Sequence, residues 1–186
     1  MNNIQNISSY TPTAEDIFLF DTNILIKIFY TPLGARNSTP YINFYGKVMK
    51  SKSKLLLSSI QLSEFVNRCI RFQFDLYRHS HPEIENFKDD YRDTEDYHDC
   101  MDAIISIIEN DIFSSFTRVN DNFESLLPEN LLMRGFSYDF NDAIIAEISR
   151  FQNAVLVTDD KDYVNYLNKL KIVTNNRALL MFQLKK

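Results

Sequence analysis

The apolar residues of this chain fall in short continuous runs separated by polar stretches. Ile17-Phe18-Leu19-Phe20 is apolar without alternation and ends at Asp21-Thr22-Asn23. That pattern predicts a strand buried on both faces of a parallel sheet. Ile24 to Tyr30 follows at once and predicts a helix. Thr31 to Pro40 carries turn residues throughout and predicts an exposed loop. Tyr41 to Ser51 predicts a helix, with Lys47, Lys50, Lys52 and Lys54 toward and just beyond its end. Leu55-Leu56-Leu57 is a second buried strand, and Ser58 or Ser59 can cap the helix that runs to about Arg78. On that helix, at about 100° per residue, Leu62, Phe65, Val66, Cys69 and Gln73 fall on one side. Glu64, Asn67, Arg68 and Arg71 fall on the other.

His79 to Asp99 is strongly acidic and predicts a peripheral helical insertion, around 79–100, with too few aliphatic residues to bury much area. Met101 to Ile108 is helical, and Asp111 to Gly135 is mixed, with Pro128 interrupting. A helix begins near Asn141. Ile144, Ile145, Ile148 and Phe151 share one face of it, and Asp142, Ala146 and Ser149 the opposite face of small residues. Ala154 to Thr158 predicts a strand, Tyr163 to Leu170 a helix, Ile172 to Thr174 a short strand and Arg177 to Leu184 a last helix. Strands alternating with helices predict an α/β fold with a mostly parallel sheet. Residues 1–14 read as a flexible leader, and 15–186 as one domain.

Composition narrows the class. A length of 186 residues suits one domain, and with only three Gly the chain is neither all-β nor built on a Gly-rich loop. The net charge of −5 argues against a protein that coats nucleic acid indiscriminately. It is compatible with a nuclease, because a carboxylate site is acidic until metal binds. Cys69 and Cys100 have neither disulfide-framework nor zinc spacing, and His79, His81, His98 and Cys100 match no zinc pattern. A polar, uncharged amino terminus and the lack of a span-length apolar run predict a cytoplasmic protein with no membrane partner.

Four acids take equivalent places. Asp21 ends the first strand, Glu64 sits in the first turns of the helix after Leu55–Leu57, Asp142 lies in the first turn of its helix, and Asp160 follows Val155–Val157. Each alone has an ordinary explanation: a helix cap for Asp21, the helix dipole for Asp142, an exposed pair with Arg68 for Glu64. Parallel strands bring their carboxyl ends to one edge, so all four can converge. Converging carboxylates repel, and a hard divalent cation is the natural compensation. Such a site suggests hydrolysis of phosphodiesters.

Asp21-Thr22-Asn23, Glu64 after a short strand, Asn141-Asp142-Ala143-Ile144-Ile145-Ala146 and Val157-Thr158-Asp159-Asp160-Lys161-Asp162 together resemble the PIN-domain nucleases, over roughly Ile17 to Thr174. The resemblance implies a three-layer α/β/α fold, Mg2+ or Mn2+ held by Asp21, Glu64, Asp142 and Asp160, and cleavage of RNA. Many members are toxins of type II toxin–antitoxin pairs, like the VapC group, which implies a cognate antitoxin and a homodimer as partners. The chain is longer than the compact toxins. By the Thr-x-Asp pattern Asp160 is the fourth acid, with Asp162 and Asp159 behind it. Asn23, Thr158 and Asp139 are supporting candidates, and Arg68 and Arg71 candidates for substrate. Two other functions compete. One is a catalytically silent PIN-like module that binds RNA or protein. The other is a phosphotransfer protein modified on Asp21, against which stand Asn23 at the place of a second acid and an acid pair that comes late in the chain.

Overall fold

The computed structural model describes residues 4–30, 38–132, 134–135, 139–166 and 170–184. Its strands are β1 (Ile4–Asn6), β2 (Ile17–Phe20), β3 (Lys54–Ser58), β4 (Thr117–Val119), β5 (Val155–Val157) and β6 (Lys171–Thr174). They form one parallel sheet in the order β1-β6-β5-β2-β3-β4. The main helices are α1 (Thr22–Phe29), α2 (Thr39–Ser51), α3 (Ser59–Ser80), α4 (Glu95–Ile107), α5 (Phe140–Phe151) and α6 (Arg177–Leu184).

The continuous apolar strands behave as their composition requires. Phe18, Phe20, Leu55, Leu57, Val155 and Val157 point into one core with Leu25, Phe44, Phe65 and Ile104 from α1 to α4. The alternate residues Leu19, Leu56, Leu156 and Ile172 point into a second core with Ile144, Ile148, Tyr163 and Leu179. Successive side chains of a strand face opposite sides, so both faces of the sheet need a helical layer. The architecture is a three-layer α/β/α sandwich. Fully burying each such Leu or Phe contributes about 1.5–3 kcal/mol.

Four expectations need correction. Residues 4–6, expected in a loose leader, form the edge strand β1, with Ile4 and Ile7 buried. Strand β4 lies in the stretch that read only as mixed. On α5 the small residues Ala146 and Ser149 are fully buried, and the Ser149 hydroxyl donates to the Ala154 carbonyl at 2.9 Å. They do not open a space beside Asp142, and Phe151 is 61% exposed instead of sharing the buried face. The loop expected over Thr31–Pro40 falls largely outside the described residues, at 31–37, and α2 begins at Thr39. Residues 133 and 167–169, which fall within other expected stretches, also lie outside them.

The fourth correction is the acidic insertion. Aliphatic residues are scarce there, but aromatic ones do the packing. A π-helical turn, Phe87–Tyr91, lays both named rings against α3, where Phe74 meets Phe87 at 5.4 Å and Tyr91 at 5.2 Å between centroids. Tyr91 is fully buried, and its hydroxyl donates to Asp96 at the start of α4 at 2.6 Å. The segment is thereby tied to the core around α3 and α4. Tyr91→Ala is expected to cost about 3–5 kcal/mol in urea unfolding, the range for an excavated aromatic. Asp89→Ala, on the exposed side of the same turn, should stay within about 0.5 kcal/mol. Equal effects of the two would restore the peripheral reading.

Candidate active site

The carboxyl ends of the parallel strands share one edge of the sheet. From β2 the chain proceeds to β3 on one side, and from β5 to β6 on the other. The helix after β2 packs in one core and the 3-10 helix after β5, Lys161–Tyr166, in the other. The crevice between the ends of β2 and β5 is thus the place where strand order reverses, where ligands of open α/β sheets bind.

Asp21 sits in that crevice, 3% exposed. Its N–H donates to the Val157 carbonyl at 2.9 Å, extending the β2–β5 ladder by one residue. Its carbonyl accepts from the N–H groups of Ile24 and Leu25, so it holds the N-cap position of α1. Its carboxylate, however, makes no capping hydrogen bond. It turns instead to the Thr158 hydroxyl, which donates to Oδ2 at 2.9 Å. Asn23 Nδ2 approaches the same oxygen at 3.4 Å, and the Tyr163 hydroxyl lies 3.5 Å from Oδ1. The Thr22 N–H, at the first position of α1, also holds the carboxylate down, but the usual capping hydrogen bond is absent.

The same Thr158 hydroxyl accepts from the Asp160 N–H at 2.9 Å, and Asp160 Oδ1 accepts from the Asp162 N–H at 2.9 Å. One threonine thus fixes Asp21 and the Asp160 turn together. Burial pushes the Asp21 carboxyl up to about 7, against the Thr158 hydrogen bond that holds it down, and the charges of Glu64 and Asp160 add to the rise. Asp142, in the first turn of α5, is pushed up to about 8 by burial and then by Asp21, Asp139 and Asp160. A hydrogen bond from Tyr163 opposes part of that rise. Tyr163 is itself fully buried, its hydroxyl pushed far up by burial and by the acids around it.

Glu64 faces the crevice from α3. Its Oε2 accepts from the Thr22 hydroxyl at 2.9 Å, and Arg68 Nη1 lies 3.6 Å from its Oε1. Arg68 also donates to Asn23 Oδ1, so it spans Glu64 and the residue beside Asp21. The helix is seated by Gln61, which the sequence did not single out. Its Oε1 accepts from the N–H and hydroxyl of Ser58, and its Nε2 donates to the Phe20 carbonyl, next to Asp21.

Asp21, Glu64, Asp142 and Asp160 thus act on one another's charge in pairs, whereas the lesser candidates separate. Asp159 is held away from them by Lys27 and by the Tyr41 hydroxyl, which donates at 2.7 Å. Asp139 caps α5, accepting from the N–H groups of Asn141 at 2.7 Å and Asp142 at 3.3 Å, yet its charge still reaches Asp142. Arg71 leaves Glu64's side, its guanidinium stacked 3.8 Å from the centroid of Phe87. Its place one helical turn beyond Arg68 could not reveal that an aromatic ring would claim it. His81 stacks on Tyr77 at 3.9 Å, and Cys100 meets the Tyr30 hydroxyl at 3.8 Å. Among the described residues no three His, Cys, Asp or Glu side chains form a group that could hold a metal ion.

No protein-family model matches the chain, and no curated protein matches it. Among solved structures it is similar to a chain in the structure of VapBC2 from Rickettsia felis bound to a DNA fragment from their promoter. The identity is 19%, the TM-score 0.52, and the match covers 85% of this chain and 98% of that one. The likeness is one of fold.

The raised carboxyls have a consequence for stability. In the unfolded chain both aspartates titrate near 4; folded, they do so near 7 and 8. Between those values the folded state binds more protons, so its stability falls as pH rises. In excess chelator the wild-type melting temperature is expected to drop from pH 5 to pH 8. Asp142→Asn should flatten that slope and melt higher than wild type at pH 8. A variant no more stable at pH 8, or an unchanged slope, would show that Asp142 carries no buried charge.

Proposed function

We propose that this chain is a metal-dependent endoribonuclease and the toxin of a toxin–antitoxin pair. The observation that carries the reading is Asp21: a buried carboxylate at the strand-order reversal, in a cap position but not capping, and under the charges of Glu64 and Asp160. An arrangement that opposes folding in this way suits a ligand that would relieve it.

The donor set fits a hard cation. It is all carboxylate oxygen, and Asp160 keeps Oδ2 beside the Oδ1 that accepts from Asp162. Magnesium is commonly held by one or two carboxylates and retained waters, so the lack of a three-ligand group among the described residues is compatible with it. One or two of Asp21, Asp142 and Asp160 would hold Mg2+ or Mn2+ directly and the rest through its retained waters, with Glu64 at the rim. Such an ion polarises a phosphodiester and lowers the pKa of an attacking water. The chain's own residues do the positioning: Thr158 and Asn23 orient Asp21, Tyr163 stands between Asp21 and Asp142 and limits water on that side, and Arg68, beside Glu64 and Asn23, is a cation for a substrate phosphate. The buried Asp21 carboxylate is poorly placed for in-line phosphorylation, which weakens the phosphotransfer alternative.

The similarity to VapBC2 supports an antitoxin as partner, and the pair's attachment to its own promoter DNA belongs to the same reading. Purified protein is expected to cleave RNA with magnesium or manganese and to stop in excess chelator. Asp21→Asn and Asp142→Asn should fold and lose more than the ~10–100-fold typical of a supporting residue; Thr158→Val should fall within that range. Cleavage that persists in chelator, or full activity in Asp21→Asn, would remove the reading. A folded protein that binds RNA with no metal-dependent cleavage would favour the silent module.

A further inference from the structure

A cleft of about 290 Å³ opens on the same edge of the sheet as the acids, beyond the ends of β6 and β1. Its apolar lining is Ile7, Pro40 and Phe44, and its polar lining is Ser8, Asn43, Lys47 and Asn175. Ile7 and Phe44 are buried, whereas the polar four are exposed. The Ser8 hydroxyl donates to Asn6 Oδ1 at 2.6 Å and keeps its lone pairs for a ligand. The cleft is joined to the acid crevice by Tyr41. Its hydroxyl accepts from the Asn175 N–H at 2.9 Å and donates to Asp159, the neighbour of Asp160. Asn176 Nδ2 completes the tie by donating to the Asp159 carbonyl at 2.6 Å. Two to three strand widths, about 10–14 Å, separate the end of β2 from the ends of β6 and β1.

We propose that this cleft binds an unpaired nucleotide of the RNA strand, beyond the two that share the phosphodiester at the acids. The inference rests on the nuclease reading for its substrate, and on the cleft for everything else. The volume is near the lower bound for a small-ligand pocket, which suits a single base. Ile7, Phe44 and Pro40 give the base face an apolar wall. Asn43 and Asn175 each offer a side-chain amide with donor and acceptor, the chemistry that reads the Watson–Crick edge of an unstacked base. Lys47 is the cation that a neighbouring phosphate would meet. In a chain of net charge −5, a lysine beside two amides on the substrate edge is a local exception to the acidic field. A paired base presents no free edge to such amides, so the cleft favours single-stranded RNA.

The test uses Asn43→Ala/Asn175→Ala and, separately, Lys47→Ala, all at exposed positions that should leave melting temperature unchanged. Two measurements are paired. One is equilibrium binding of a labelled ten-nucleotide single-stranded RNA, followed by anisotropy in the Asp142→Asn background. The other is cleavage, by the Asp142 protein, of that RNA and of a dinucleotide too short to reach the cleft. The expected result is about tenfold weaker binding for the double-amide variant. Cleavage of the long RNA should fall by a similar factor through KM, with dinucleotide cleavage unaltered. Lys47→Ala should weaken binding and reduce its salt dependence. Binding of the long RNA equal to that of the parent, or no binding by the parent, overturns the cleft. Loss of dinucleotide cleavage in equal measure also overturns it, since the effect would then be on the acids. Weakened binding with no cleavage by any protein keeps the cleft and removes the nuclease.

Discussion

The structure depends on holding several carboxylates at one edge of a parallel sheet, close enough to raise one another's proton affinity. Asp21 and Asp142 are pushed to about 7 and 8, so ionising both opposes folding. That cost is offset by the two cores on either side of the sheet. Phe18, Phe20, Leu19, Leu56 and Leu156 are fully buried in the three strands that lead toward the acids. Fully buried strands thus adjoin these unfavourable electrostatics. Rigid strands are what can keep like charges from simply turning away into water.

How much of this could be read from the chain alone follows from burial. Strands β2, β3 and β5 lie in the interior of the sheet, covered on both faces, and so had to be continuously apolar; they were legible. Strands β1, Ile4-Gln5-Asn6, and β4, Thr117-Arg118-Val119, are at the edges, where one neighbour suffices and exposure leaves polar residues in place. Neither carries a signal that distinguishes it from a loop. The acidic insertion misled for a related reason. Counting aliphatic residues overlooked Phe87 and Tyr91, whose ring area is enough to seat the segment on α3.

At the site, the position of each acid relative to its strand or helix was legible, because it follows from topology. The different surroundings of the adjacent Asp159 and Asp160 were not. What separates Asp159 from Asp160 is Lys27 and Tyr41, which lie more than a hundred residues away in the chain and draw Asp159 toward α1 and α2. Arg71 illustrates the converse. Helical spacing put it beside Arg68, but a guanidinium takes the best partner within reach, and Phe87 is nearer than the crevice. Periodicity fixes the direction in which a side chain leaves its helix; the partner that holds its far end belongs to the tertiary structure.

Thr158 shows how few groups couple the parts. A single hydroxyl has one proton to donate and lone pairs to accept with. Here the proton goes to Asp21 and a lone pair takes the Asp160 N–H. Donation toward Asp21 stabilises its ionised form, so the same bond that orients the acid opposes the upward push of burial. Beyond it, Asp159 anchors the turn to α1 through Lys27 and to the end of β6 through Asn176 and Tyr41. The β5 turn therefore acts as a clamp with two arms: Asp160 bears on the carboxylates, and Asp159 bears on the cleft beside Asn175. The crevice and the cleft are thus joined through one turn and the Tyr41 hydroxyl.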